Sequence, residues 1–190
     1  MRETVRLLAA RAPKLRARWR RRTRPGTRSW CLMALLSPST AWPLTGRSIP
    51  GRHRKHGMNL QVIASPDGEI LWVSGALPGA AHDLTAARIW GIVHELAAAG
   101  LIVPADKGYS GAGDHLITPY RGRGKPASQK AANSTHAKLR APAERANAQL
   151  KTWAVLRKLR CCPWHAGQLA KTMIFGRRGL VGGGSGHLGP

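Results

Sequence analysis

Asp106 stands in Ala105-Asp106-Lys107-Gly108-Tyr109, and Glu144 in Pro142-Ala143-Glu144-Arg145-Ala146-Asn147-Ala148-Gln149-Leu150-Lys151. Each is a lone carboxylate in a basic setting, in a chain with eight Asp and Glu against 31 Lys and Arg. Beside Lys107 or Arg145, either one taken alone is an ordinary ion-pair partner. Brought together among cations, two carboxylates can instead hold divalent metal against a phosphate backbone. In that chemistry, metal ions about 3.5–4 Å apart share the carboxylates and support in-line displacement at phosphorus.

The elements that must position them are short. Leu101-Ile102-Val103 is an apolar run that reads as a strand, with Asp106 just past its C-terminal end. Pro142 suits the first turn of a helix. In that helix Ala143, Ala146, Leu150 and Trp153 form a stripe, and Glu144 lies off it with Asn147 and Lys151. Upstream, Asn59–Ser65 alternates, with Leu60, Val62 and Ala64 on one face. Ser65-Pro66-Asp67-Gly68 makes a turn, because Pro presets φ and Gly accepts φ > 0. Ile70–Ser74 completes a hairpin. Ile89, Ile92, Val93 and Leu96 predict a helix over Leu84–Ala99, capped by Asp83 and stopped by Gly100. Leu116–Tyr120 reads as another strand and Arg121–Lys130 as a basic loop. Trp153 and Trp164 read as core, with base stacking as the lesser alternative. The order strand, strand, helix, strand, strand, helix predicts a mixed α/β layer structure.

A net charge of +23 and a pI near 11.8 point to a polyanionic partner. No apolar run is long enough to span a bilayer. The Arg-rich N-terminus lacks the apolar region of a secretory signal, and Pro13, Pro25 and Gly26 argue against a transit-peptide helix. The three cysteines, Cys31, Cys161 and Cys162, form no C-x-x-C pair. That argues against a disulfide framework or zinc ribbon and fits a reducing cytosol. His53 and His56 read as a solvated basic loop rather than a zinc pair, and His94-Glu95 lacks the second His of a metalloprotease helix.

Residues 1–15 read as a helix to about Ala12, limited by Pro13. No acid occurs between Glu3 and Asp67. Within that gap, residues 16–50 show no period of two or of 3.6 and read as disordered or frame-shifted. Folded texture begins near Gly51 and continues to about 170. Residues 171–190 read as a flexible tail, Gly-rich from Gly176.

Four segments carry a resemblance: His56-Gly57-Met58-Asn59-Leu60-Gln61, Leu77-Pro78-Gly79-Ala80-Ala81-His82-Asp83-Leu84-Thr85, the Asp106 segment and the Glu144 segment. In this order and spacing, over about Gly51 to Ala170, the chain resembles the DDE transposases of bacterial insertion sequences, in the branch related to Harbinger-type endonucleases. The resemblance implies an RNase-H-like α/β fold, a mixed sheet with flanking helices. It implies DNA strand cleavage and transfer with Mg²⁺ or Mn²⁺ held by three carboxylates. Asp106 and Glu144 take the places of the second catalytic Asp and the catalytic Glu. Asp83 is a helix cap and support first and a weaker metal ligand second. Lys107, Arg121, Arg123, Lys125, Arg145 and Lys151 would face phosphates. The partner implied is DNA, with a homodimer left open, and the location is cytoplasmic and nucleoid-associated. Residues 1–15 look like the segment that links a lost helix-turn-helix to the nuclease.

The first catalytic Asp has no counterpart: no Asp precedes Asp67. The strand that should carry it, ahead of the hairpin, is expected to be missing or garbled. Met33 must be encoded ATG and Ala34 GCN. If the Leu32 codon ends in G, reading back by one base gives Asp-Gly, and Leu35 then gives a codon that includes Thr. A pair of frameshifts would account for the acid-free stretch. The sequence thus leaves an inactive transposase nuclease domain, a basic nucleic-acid-binding module without catalysis, and a pseudogene product without function.

Overall fold

The computed structural model describes residues 2–10, 31–38, 57–157 and 159–181. A strand stands ahead of the hairpin, where one was expected to be missing or garbled. Cys31–Pro38 (β1) pairs antiparallel with Gly57–Ala64 (β2) along its length, from Cys31 opposite Ala64 to Pro38 opposite Gly57. Its apolar run Cys31-Leu32-Met33-Ala34-Leu35-Leu36 satisfies what would be a free edge of β2, and Leu32 is fully buried. An apolar strand needs no particular acid to pair. The rest of the 16–50 stretch, the end of the N-terminal helix at Ala12, His53, His56 and residues 182–190 lie outside the described residues.

β2 and Ile70–Pro78 (β3) form the expected antiparallel hairpin, with Met58 opposite Pro78 and Ile63 opposite Trp72. The turn has the predicted chemistry: Gly68 takes φ 83°, and its N–H donates to the Ser65 carbonyl at 2.9 Å. Both faces of β2 are covered. Met58, Leu60 and Val62 pack with Leu150, Leu156 and Leu159, while Ile63 packs with Leu32, Leu71 and Leu96 on the other side. Burial on both faces marks a central strand, where the sequence predicts one buried face.

Val103–Pro104 (β4) runs parallel to Leu116–Ile117 (β5). One parallel bridge, Leu32 to Ala105, joins the end of β4 to β1. The strand succession across both sheets is therefore β3-β2-β1-β4-β5. β5 stops short of Tyr120, its predicted end. Pro119 has no N–H for a ladder, and the Tyr120 backbone pairs instead with the Asn133 side chain at 2.8 and 3.2 Å.

The helices differ from the sequence expectation in four places. The predicted helix over Leu84–Ala99 is two, which follow the N-terminal Arg2–Ala10 (α1): Asp83–Ile89 (α2) and Ile92–Ala98 (α3). Gly91 at φ 67° breaks it, and Ile89, counted in the stripe, is 60% exposed. The helix carrying Glu144 begins well before Pro142: Ala127–Thr152 (α4) has Pro142 in its interior. The good helix formers of Ala127–Arg140 carry the chain through, although Pro142 supplies no N–H to the Lys138 carbonyl. After the short Ala154–Arg157 (α5), Pro163–Val181 (α6) runs through Gly176 into the segment predicted to be flexible. Finally, Trp153 and Trp164 are exposed at 38% and 52% rather than in the core. Trp164 lies under the Arg6 guanidinium of α1 at 5.9 Å, and Thr172 donates to the Val5 carbonyl at 3.2 Å. Among the described residues no helix is long and apolar enough to cross a membrane.

Candidate functional site

Asp106 follows Ala105, whose side chain is buried among α2 and α3. Strand alternation therefore turns Asp106 to the other face, toward α4. Its Oδ1 accepts from the Lys107 N–H at 2.6 Å and caps the 3₁₀ turn Lys107–Tyr109. Glu144 projects from α4. Arg140, one turn earlier on that helix, reaches both: Nη1 lies 3.4 Å from Asp106 Oδ1, and Nη2 lies 3.0 Å from Glu144 Oε1. The two acids singled out in the sequence therefore share one guanidinium. Arg140 was not singled out there. Its only signal is its place four residues before Glu144, the spacing that puts two side chains on one helix face.

β1 closes the inner side of this group. The bridge of Leu32 to Ala105 puts Met33 beside Asp106 in register. Cys31 and Met33 pack with Ala143, the residue before Glu144. Burial pushes the Cys31 thiol up to about 11, against the smaller opposing pull of the Arg140 guanidinium. Asn147, a turn beyond Glu144, donates to the Ala34 carbonyl at 3.3 Å and fastens α4 to β1.

Asp83 belongs to a different set of contacts. Its carboxylate does not cap α2: His82 is the N-cap residue, and no side chain makes the cap hydrogen bond. Asp83 Oδ1 instead accepts from Asn59 Nδ2 at 2.7 Å. Asn59 Oδ1 accepts from Gln61 Nε2 at 2.7 Å, and Gln61 Oε1 accepts from the Tyr109 hydroxyl at 2.6 Å. Asn59, Gln61 and Tyr109 are fully buried. Burial raises the Asp83 carboxyl above the ordinary carboxylate range, with the Asn59 hydrogen bond opposing it. Burial likewise keeps Tyr109 protonated, so it remains a donor. This chain of polar groups runs from the start of α2 through β2 to the turn that carries Asp106.

Of the cations expected to face phosphates, Lys107 directly follows Asp106 in sequence and Arg145 directly follows Glu144. Lys107, Arg121, Arg123, Arg145 and Lys151 are exposed, and Lys125 is half-buried. Arg121 donates to the Lys107 carbonyl, which ties the basic loop to the Asp106 turn, and Lys125 donates to the Gly122 carbonyl. Lys151 lies seven residues beyond Glu144, two turns along the same helix face.

A profile for DDE superfamily endonucleases matches residues 43–175 of this chain. The chain belongs to the DDE superfamily endonucleases. No curated protein and no solved structure compared with it matches. The match begins after β1, so it takes in the hairpin, the Asp106 turn and the Glu144 helix but not the strand beside them. A DDE endonuclease domain makes DNA the substrate, and this superfamily is generally dependent on divalent metal. The residues present here do not fit a pair of such ions. The two carboxylates already share Arg140. β1 offers a thiol and a thioether, Cys31 and Met33, where hard cations take oxygen ligands. Among the described residues no three His, Cys, Asp or Glu gather as a metal-holding group.

Proposed function

We propose that this chain is a transposase-type DDE nuclease domain that has kept its scaffold, two of its three acids and its DNA-binding rim, and that binds DNA without cutting it. The observation that carries the reading is the pairing of Asp106 and Glu144 on Arg140, between the end of β4 and the face of α4. Antiparallel β1, β2 and β3, with β4 and β5 parallel to β1, support an RNase-H-like sheet with flanking helices. In that arrangement Asp106 and Glu144 stand as the retained second and third acids. Met33, in register with Asp106, stands where the first acid is missing. Asp83 serves as a support, engaged by Asn59, rather than as a ligand. Lys107, Arg121, Arg123, Lys125, Arg145 and Lys151 supply the charge that meets the phosphates.

The test is a binding titration on duplex DNA paired with a nicking assay in Mg²⁺. With roughly 6–10 phosphate contacts, affinity falls about 10³–10⁵-fold between 50 and 200 mM salt. Nicking is absent in the wild-type chain and appears in Met33→Asp/Arg140→Gln, which restores a carboxylate beside Asp106 and frees both acids of the guanidinium. Nicking by the wild type that is abolished by Asp106→Ala would overturn the inactive reading, and a shallow salt dependence would overturn the DNA-binding one.

A further inference from the structure

We propose that Arg140 is the resident cation of the acid pair: its guanidinium occupies the position between Asp106 and Glu144 that a divalent ion would need, and so keeps metal out of the wild-type chain. This rests on the reading of those two acids as a retained DDE pair, and it adds what balances their charge.

Four observations lead to it. First, the two contacts use different nitrogens of one planar fork, Nη1 for Asp106 and Nη2 for Glu144. A helix-surface pair alone does not explain this, because a base N-terminal to an acid is the weaker order and Asp106 comes from another element. Second, the arginine side chain is only 11% exposed, against 53% and 51% for the acids. The cation is seated from inside, with its stem packed, so it is not a solvated side chain drifting past. Third, Arg140 Nε is buried with no hydrogen-bond partner among the described residues. The ion pairs of the guanidinium are made at its outer end, by the two terminal nitrogens that face the acids. Fourth, the group beside it on β1 is the Cys31 thiol, which burial keeps protonated, so it adds no negative charge that could balance a second cation.

The consequence follows from charge and solvation. The guanidinium brings one positive charge to the pair. With its charge in place, the pair has one net negative charge left to attract an ion. Mg²⁺ gives up hydration water reluctantly and binds through carboxylates that are free to face it. Here one oxygen of each carboxylate is already engaged, and a guanidinium would repel the incoming ion.

The experiment measures metal binding without DNA or turnover. Thermal unfolding of the purified chain is followed against Mn²⁺ concentration, and bound Mn²⁺ is read from its spin-resonance signal, for wild type, Arg140→Gln and Arg140→Gln/Asp106→Asn. The wild type shows no saturable Mn²⁺-dependent shift. Arg140→Gln melts lower without metal and gains roughly 5 °C or more at Mn²⁺ about 100-fold above its Kd. The double variant loses that gain. If Arg140→Gln is unfolded without metal, its refolding on adding Mn²⁺ supports the proposal and failure to refold counts against it. Saturable Mn²⁺ binding by the wild type as tight as by Arg140→Gln overturns it, whether or not the chain binds or nicks DNA. So does a folded Arg140→Gln that binds no Mn²⁺.

Discussion

Asp83 Oδ2 lies where a side chain on Gly108 would begin: a Cβ built on Gly108 comes within 2.5 Å of it. The Pro-Gly-x-x-His-Asp segment and the Asp-Lys-Gly-Tyr segment are thus in direct contact, two residues beyond Asp106. Asp83 cannot simply step aside, because Asn59 engages its other oxygen at 2.7 Å. Gly108→Ala therefore costs about 1–3 kcal/mol, read as a lower urea midpoint. Asp83→Ala in the same background recovers part of that loss. Strictly additive costs in a double-mutant cycle would show that the contact is not what limits residue 108.

Asp83 also sets a pH dependence. Burial raises its folded pKa, so folding favours the protonated form. Its contribution is fully present below the unfolded value and is lost as pH rises through the folded one. Asp83→Asn does not titrate. The difference in Tm, variant minus wild type, is therefore more positive near pH 7 than near pH 3. A difference that is constant across that range would contradict the burial assigned here.

Cys31 gives the corresponding test at alkaline pH. Its thiol is raised from 9.0 to about 11. The stability it confers is fully present below 9 and is lost as pH rises toward 11. Over that window the wild type loses about 2–3 kcal/mol that Cys31→Ala does not. The stability gap between the two therefore narrows. Thiol labelling near neutral pH marks the half-buried Cys161 and Cys162 before the buried Cys31. Early labelling of Cys31 would place it outside the acid group.

The basic rim is tested by its salt slope. Lys107→Ala, Arg121→Ala and Arg123→Ala combined reduce the slope of log affinity against log salt by roughly 3, about one for each phosphate no longer neutralised. The effect is the same on unrelated duplex sequences. An unchanged slope would move the DNA surface elsewhere on the molecule.

The hairpin was legible in the sequence because its signals are local: the alternation in Asn59–Ser65 and a Pro-Asp-Gly turn. Asp106 at a strand end and Glu144 on a helix were legible as residues, and their meeting on one cation was not. That meeting depends on the extent of α4, which the rule about Pro142 misjudged because a proline's local cost was outweighed by the helical stretch before it. The split at Trp90-Gly91 was hidden by an intact apolar stripe, since periodicity does not register one left-handed residue. β1 was hidden for a different reason. Its surroundings carry no pattern, and its own apolar run becomes a strand only beside the open edge of β2. Arg140 was invisible because its role comes from a partner 34 residues away in sequence.

The three-stranded and two-stranded sheets meet at one bridge, Leu32 to Ala105. That line is a seam, and Asp106 sits on one bank of it. α4 is the splint across it. His136 is bonded to the Ile117 carbonyl at 2.9 Å on the far bank, and Asn147 to the Ala34 carbonyl at 3.3 Å on the near one. Arg140 and Glu144 lie between these two fastenings. The spacing of the acid pair therefore depends on how one helix lies across this join. Loosening either fastening is expected to shift the pair without touching either acid.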